Sequence, residues 1–292
     1  MHRRARAPRR RPGRLSSLGP LLPLACQELT SASVSWPDSV GEVIPRHVPR
    51  SIGAAAPTRV AERLAEAVDG PRDVLHASAT ALYVDLDGWC LGLVSASATR
   101  VPCALWSTLD DLTPLAGRPV VVSDGTLVVG DCEVRVARLV DPRITRVGRH
   151  DTCSAKHSDA VTSRLDGLEL PAEGRLTEPD LDRLIGRGPG LTPLGDDVVA
   201  GWLATRAALG RDDEAITDGV RRRLGATTLL SATLLDCAIR GEALPQLAAW
   251  LAHPTATTEQ ALLAVGATSG AGLMAGAELA LTSLEEKSGR AA

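Results

Sequence analysis

The chain has 292 residues, 44% of them hydrophobic, and a formal net charge of −3 at pH 7. This length is enough for one large domain or two ordinary ones with sizeable cores, so disulfides are not needed for stability. Six cysteines occur without a C-x-x-C pair, which is typical of reduced thiols in a cytosolic protein. Only 2% of the residues are aromatic, which argues against the stacking surfaces that bind nucleic acids. No stretch reaches the roughly 18 apolar residues of a membrane span.

The N-terminal segment has little periodicity. Its first fourteen residues include seven arginines and no acid. The apolar run Leu21–Cys26 that follows is too short, and too interrupted by proline, to favour an export signal. We therefore expect residues 1–42 to be a disordered Arg/Pro/Ser-rich tail and the protein to be cytoplasmic.

Residues 43–145 are predicted to form a β-rich domain. One short amphipathic helix, Thr58–Val68, precedes segments in which apolar and polar residues alternate from position 74 to 140. Asp87-Gly88 and Asp124-Gly125 divide these segments, and such dipeptides tolerate the positive φ angles of tight hairpin turns. Connections this short require antiparallel neighbours, so we expect an antiparallel meander, open or curled toward a barrel.

The segment after the β-rich domain contains His150, Cys153 and His157, three potential zinc ligands within eight residues. A zinc site needs a fourth position, and no second Cys/His cluster is present. We therefore interpret residues 146–180 as a polar connector between domains.

Residues 181–292 are predicted to be an all-α domain. Thr192 as N-cap and Pro193 as first helical residue open a helix whose apolar stripe extends to Leu209. Further helices are expected over about 228–240 and 243–251. Ser269 caps a last helix, in which Gly272 and Gly276 have the small-x-x-x-small spacing that permits close backbone approach. The predicted fold class is α+β, a β-rich domain followed by a helical one.

The stretch Gly186–Gly201 is the most distinctive of the chain, with five glycines and two prolines in sixteen positions directly before a helix. Glycines allow backbone amides to turn toward a ligand, and a helix start adds free N–H groups and a partial positive charge, so the stretch is typical of an anion site. Together with the second glycine-rich helix start, the candidate anion-binding residues are Gly188, Gly190, Thr192, Gly195, Ser269 and Gly270.

Two adjacent acids, Asp196 and Asp197, lie in this candidate anion site. Carboxylates repel an anion unless a metal ion, a proton or a cationic group separates them from it. If a cation is bound, Mg²⁺ is the candidate, with Asp196 or Asp197 as its ligand. Alternatively, acids in a first helical turn only complement the helix dipole. Adjacent helical residues point about 100° apart, so the two acids are expected to have different roles.

The helical motifs resemble the DUF2877 family, which includes the AllH-type subunit of oxamate carbamoyltransferase. The likeness rests on three motifs in order, which are Gly186-x-Gly188-Pro189-Gly190-Leu191-Thr192-Pro193-x-Gly195-Asp196-Asp197, Ser231-x-x-Leu234-Leu235-x-x-Ala238-x-x-Gly241-Glu242 and Thr268-Ser269-Gly270-x-x-Leu273-x-Ala275-Gly276. The resemblance implies a bacterial, cytoplasmic subunit that works with two other proteins in allantoin catabolism. That complex converts oxalurate and phosphate into oxamate and carbamoyl phosphate.

Three functions remain open from the sequence. In the first, the chain is a carbamoyltransferase-like subunit that is active only with its partner subunits. It binds phosphate, carbamoyl phosphate or a carboxylate, and Asp196 or Asp197, as catalytic residue, holds a cation or relays a proton. In the second, it is a non-catalytic module for a small anion. The third, metal-assisted hydrolysis, requires further acids near the pair, for which Asp180, Asp182 and Asp236 are the candidates. No nucleic acid or membrane is expected as partner.

Overall fold

A computed structural model of the protein describes residues 51–146, 165, 167–171 and 175–289, of which 283–289 are described by their backbone alone. Residues 46–292 form one compact unit. The predicted tail, residues 1–42, and the segment from His150 to His157 lie outside the described residues.

The first part of the fold is a nine-stranded sheet with one helix, α1 (Thr58–Glu66), after its first strand. The strands are β1 (Ser51–Pro57), β2 (Gly70–Pro71), β3 (Val74–Ala77), β4 (Ala81–Asp85), β5 (Cys90–Val94), β6 (Ala104–Ser107), β7 (Val120–Ser123), β8 (Thr126–Val129) and β9 (Cys132–Val140). Helix α1 buries Val60 and Leu64, as its amphipathic pattern predicts.

The strand order is β2-β7-β8-β9-β1-β6-β5-β4-β3. The two edge strands, β2 and β3, follow one another in the chain and are separated only by Arg72 and Asp73, so the sheet curls back toward itself. Most pairs are antiparallel, which confirms the predicted class. The pairs β1–β9 and β5–β6 are parallel, because β1 and β9 are far apart in sequence and a longer loop joins β5 to β6.

Both predicted hairpin turns are present. Asp87 and Gly88 have φ angles of 54° and 81°, and Asp124 and Gly125 have φ angles of 48° and 68°. Two consecutive positive φ angles define the turn whose twist matches that of the flanking strands. These dipeptides therefore join β4 to β5 and β7 to β8 as the sequence predicts.

The second part is helical, which confirms the second half of the predicted fold class. Its helices are α2 (Glu178–Leu184), α3 (Leu194–Ala208), α4 (Glu214–Arg223), α5 (Leu229–Ile239), α6 (Pro245–Ala252), α7 (Ala256–Leu263) and α8 (Ser269–Gly289). No helix in the described ranges is both long and apolar enough to cross a membrane.

Helix α3 lies at the centre of the helical part. Every residue from Gly195 to Thr205 is buried, so the predicted apolar stripe is in fact a helix that is buried on all sides. Its closest neighbour is α8. A Cβ atom added to Gly201 would lie 2.1 Å from the carbonyl oxygen of Leu273, and one added to Gly276 would lie 1.9 Å from that of Val198. Glycine at these positions lets the two backbones touch, as the spacing around Gly276 predicts.

The sheet and the helices share one hydrophobic core. The amide of Cys90 in β5 donates to Thr233 Oγ1 in α5 at 2.9 Å, and the amide of Ile144 donates to the carbonyl of Gly241 at 2.9 Å. These contacts bring the loops of the sheet against the helices around α3, where the candidate site lies.

Candidate functional site

The loop before α3 places Asp196 and Asp197 in the first turn of a buried helix. Helix α3 begins at Leu194, with Pro193 rather than Thr192 at the N-cap position. The amides of Asp196 and Asp197 donate to the carbonyl of Pro193 at 3.0 and 3.2 Å. Thr192 is thus one residue outside the cap position that we predicted for it, and its hydroxyl is free to face another partner.

Asp196 joins three segments of the helical part. Its carboxylate accepts hydrogen bonds from the amide of Gly186 at 2.8 Å, from the hydroxyl of Ser231 at 2.7 Å and from the hydroxyl of Thr227. The residue is 1% exposed. Burial raises the pKa of Asp196, and the three hydrogen bonds act in the opposite direction. Both carboxylate oxygens of Asp196 accept hydrogen bonds from the protein itself, which indicates a structural role for this residue.

Asp197 has different surroundings, as the angle between adjacent helical residues predicts. Its Oδ2 atom is buried and has no hydrogen-bond partner within the described structure, although the side chain lines a cavity. The pKa of Asp197 is raised to about 8, because burial raises it strongly, a hydrogen bond with Ser269 lowers it and the charge of Asp196 adds to the rise. A carboxyl group with this pKa is protonated at pH 7. Such a group does not repel an anion, and it can donate a proton or a hydrogen bond to a ligand.

Two hydroxyl groups complete the polar side of this cavity. Thr192 Oγ1 and Ser269 Oγ are 2.9 Å apart, although 77 positions separate them in sequence. Ser269 is the first residue of α8 and also bonds to Asp197. The structure thus brings together the two glycine-rich helix starts that the sequence singled out, with a carboxyl and two hydroxyls at their junction.

The cavity beside this cluster has a volume of about 230 Å³. Its walls are mostly aliphatic side chains of α3, α5 and α8, among them Ala200, Leu230 and Leu273. Strand β4 adds Tyr83, and the loop between β5 and β6 adds Thr99, Val101 and Pro102. A small apolar cavity with a few convergent polar groups is the usual form of a small-molecule site.

The residues from the sheet were not predicted, because the strands and loops that carry them are far from the helical motifs in sequence. Glu242 also lines the cavity. It belongs to the second helical motif, which is the one sequence signal that pointed to it. The residue is 8% exposed, and its carboxylate forms an ion pair with Arg59 at 3.3 Å.

The glycines of the candidate site divide into two groups. The amides of Gly195 and Gly270 donate to the carbonyls of Arg187 and Val265, and added Cβ atoms would lie 1.9 Å from the carbonyl oxygens of Leu184 and Leu262. An amide that already donates within the protein is not free for an anion. Gly195 and Gly270 permit close backbone contacts, and an anion-binding role for them stays a prediction that would not use these amides.

Gly188 and Gly190 lie on the exposed loop before α3, with φ angles of 125° and 93°. Glycine is the residue that adopts these angles without strain. An anion-binding role for Gly188 and Gly190 therefore stays a prediction, on a loop whose backbone only glycine accommodates.

The other candidate acids are engaged in ion pairs or caps. Asp180 accepts from Thr177 and Arg183, Asp182 pairs with Arg223 at 2.7 Å, and Asp236 pairs with Arg59. Among the described residues, no group of three or more His, Cys, Asp or Glu side chains could hold a metal ion. Both oxygens of Asp196 accept hydrogen bonds within the protein, and a role of Asp196 or Asp197 as a Mg²⁺ ligand stays a prediction.

These features define a two-part α+β protein in which a protonated carboxyl group faces a small apolar cavity in the helical part. Residues 184–281 of that part match the family model described as oxamate carbamoyltransferase subunit AllH, so this region is similar to AllH-type subunits. The match covers the end of α2 through most of α8 and includes all three sequence motifs. The description names a subunit, which implies other protein subunits in a complex. The chain matches no curated protein and no solved structure.

Proposed function

We propose that the chain is an AllH-type subunit of a bacterial, cytoplasmic oxamate carbamoyltransferase in allantoin catabolism, and that it binds the substrate in the cavity beside Asp197. The observation that carries the proposal is the Oδ2 atom of Asp197, which is buried and unpartnered within the described structure, on a side chain that lines the cavity. An unpaired buried polar atom is costly unless a ligand engages it. Its position within the matched region links this atom to the family's reaction.

In this reaction an oxygen of hydrogen phosphate attacks the carbamoyl carbon of oxalurate. The bond from that carbon to the oxamate nitrogen then breaks, and the nitrogen takes a proton. Asp197 is protonated at neutral pH and supplies this proton, and the proton that hydrogen phosphate loses restores the carboxyl group. Carbamoyl phosphate and oxamate leave, and Asp197 returns to its starting state. Thr192 and Ser269 orient the substrate, and no covalent intermediate with the protein is required.

The test is reconstitution with the partner subunits encoded beside this gene. We expect the chain alone to form no carbamoyl phosphate from oxalurate and phosphate, and the assembled complex to form it. Asp197→Asn keeps the shape and neutrality of the side chain but removes the acidic proton. It should lower kcat by about 100-fold or more, which is the usual contribution of a general acid. Asp182→Asn is the matched control, because Asp182 is an exposed ion-pair residue outside the cavity. Full activity of the Asp197→Asn complex would contradict the proposal.

A second function, a non-catalytic module for a small metabolite, is favoured by one observation, the mostly aliphatic lining of the cavity. An aliphatic lining is better suited to bind a small, partly apolar molecule than to admit and release charged phosphate. If the chain is a non-catalytic module, Asp197→Asn should change its affinity for oxalurate or oxamate, as measured by calorimetry. The assembled complex that contains this variant should keep its kcat. A loss of kcat in a complex that still binds oxamate would exclude this reading.

A further inference from the structure

A second concave site lies between α1 and the segments that join the sheet to the helices, and Glu242 lines both this site and the cavity at Asp197. It is a groove of about 620 Å³ lined by four arginines, Arg59, Arg63, Arg143 and Arg240. Arg143 and Glu242, which both line the groove, are joined by an isolated β-bridge. Four guanidinium groups around one groove are a common basis for the recognition of phosphate.

Two of these arginines are neutralised by acids of the protein. Arg59 pairs with Asp236 and with Glu242, and Arg143 makes a two-pronged pair with Asp141 at 2.8 to 3.1 Å. Their guanidinium groups therefore form ion pairs that stabilise the walls of the groove.

Arg63 is not neutralised in this way. Within the described part of the chain it has no carboxylate within 4 Å, and its guanidinium lies over the ring of Trp89, 4.9 Å from the ring centre. It lies one turn after Arg59 on the same face of α1, a spacing at which like charges repel. Arg240 is also only weakly paired, with its Nε atom 3.9 Å from Asp236.

The charges around Arg63 come from several elements. Burial lowers its pKa, the positive charges of Arg59 and Arg240 lower it further, and Glu66 acts in the opposite direction. The remaining acids of the groove are Glu62 on α1, which is exposed, Asp141, which is paired with Arg143, and Glu242, which is paired with Arg59. Four acids, Glu62, Glu66, Asp141 and Glu242, also line the groove, so the formal charges of its lining balance. Among the described residues, no carboxylate lies within 4 Å of the Arg63 guanidinium, so its donors are the ones that a bound anion would engage.

We infer that this groove binds the phosphate group of a small metabolite through Arg63 and Arg240. The ring of Trp89 fixes Arg63 from one side, so its donors are held in place before the ligand arrives. A volume of about 620 Å³ accommodates more than free phosphate, so a small phosphorylated molecule is the expected ligand. The groove shares Glu242 with the cavity at Asp197, but the inference does not depend on the proposed function, because binding through Arg63 and Arg240 is measurable without partner subunits.

The experiment is calorimetric titration of the full chain with inorganic phosphate at low salt. We expect binding in the wild type and an affinity lowered by about ten-fold or more in both Arg63→Met and Arg240→Met, because each variant removes charged donors. Methionine keeps an apolar side chain over Trp89. The matched control is Arg221→Met, because Arg221 is exposed on α4 and paired with Asp218, and it should bind phosphate as the wild type does.

A second measurement uses the wild-type chain and needs no variant to fold. Phosphate should slow the modification of Arg63 by phenylglyoxal, mapped by mass spectrometry, and leave Arg221 unaffected. Absence of phosphate binding, equal binding in all three variants, or loss of binding on Thr192→Val but not on Arg63→Met would overturn the inference. The last result would place the anion at the cavity instead of the groove. Each of these outcomes is independent of whether the assembled complex forms carbamoyl phosphate.

Discussion

The hydroxyls of Thr192 and Ser269 are 2.9 Å apart, although 77 positions separate the residues. This contact joins the loop before α3 to the first turn of α8, directly beside Asp197. Because Ser269 also bonds to Asp197 and lowers its pKa, the protonation of the carboxyl depends on a contact between two distant segments. We therefore expect the two hydroxyls to influence the pKa of Asp197 as well as to contact a ligand.

Ser269→Ala tests this coupling. Removal of the hydroxyl deletes a hydrogen bond that favours the ionised carboxylate, so the pKa of Asp197 should rise further above its wild-type value of about 8. The measurement is carboxyl ¹³C NMR across the pH range. Ser97→Ala is a suitable control, because Ser97 bonds to Ser95 in the sheet part. An unchanged or lower pKa in Ser269→Ala would contradict the assigned hydrogen bond.

The free energy of unfolding should depend on pH through Asp197. Its folded pKa, about 8, is above the value near 3.9 of an unfolded aspartate. The folded state therefore binds the extra proton, and this contribution to stability is complete below about pH 4 and is lost as the pH rises to about 8. Urea unfolding of the wild type and Asp197→Asn at several pH values isolates the effect. Asp197→Asn should gain stability relative to the wild type between pH 5 and 8, and a pH-independent difference would refute the shifted pKa.

Asp196 should matter for stability far more than an exposed acid. Asp196→Ala leaves the amide of Gly186 and the hydroxyls of Thr227 and Ser231 without their acceptor. We expect a loss of about 2–4 kcal/mol in the free energy of unfolding. Asp182→Ala, at an exposed ion pair with Arg223, should leave the free energy of unfolding nearly unchanged, because solvent screens such a pair. Equal effects of the two substitutions in chemical denaturation would show that Asp196 is not the structural residue that its hydrogen bonds indicate.

Gly276 should not tolerate a side chain. An added Cβ would lie 1.9 Å from the carbonyl oxygen of Val198 and 2.8 Å from the amide nitrogen of Trp202, and neither backbone atom can move aside cheaply. Gly276→Ala should therefore destabilise the fold by about 3 kcal/mol or more, as separation of α3 from α8 opens the core. Gly225→Ala is the control, since nothing lies within 4 Å of its Cβ position. Thermal unfolding that is equal for the two variants would contradict the close approach of α3 and α8.

Local patterns were sufficient to predict much of the fold. Alternating residues around Asp87-Gly88 and Asp124-Gly125 predict the hairpins that the structure contains. Strand β1 was missed, because Ser51–Pro57 is rich in alanine and pairs with β9, a strand that is distant in sequence. Tertiary pairings of this kind leave little trace in a single sequence.

The candidate site was predicted in part for the same reason. Asp197, Thr192 and Ser269 lie in recognisable motifs, and the structure brings them together. Tyr83 and Val101 reach the cavity from the sheet, and no local pattern identifies them. Sequence also does not distinguish Gly195, which allows helix contact, from a glycine whose amide faces a ligand, because both roles select the same residue.

The central claim is that Asp197 is a protonated acid at the cavity at neutral pH. Its most direct test is carboxyl ¹³C NMR of the full chain with labelled aspartate, titrated from about pH 3 to about pH 9 and assigned with Asp197→Asn. We predict one aspartate resonance that titrates with a pKa near 8 and is missing in Asp197→Asn. If the resonance lost in that variant titrates near pH 4, the ordinary value, then Asp197 is ionised at neutral pH and the proton-donor account is wrong.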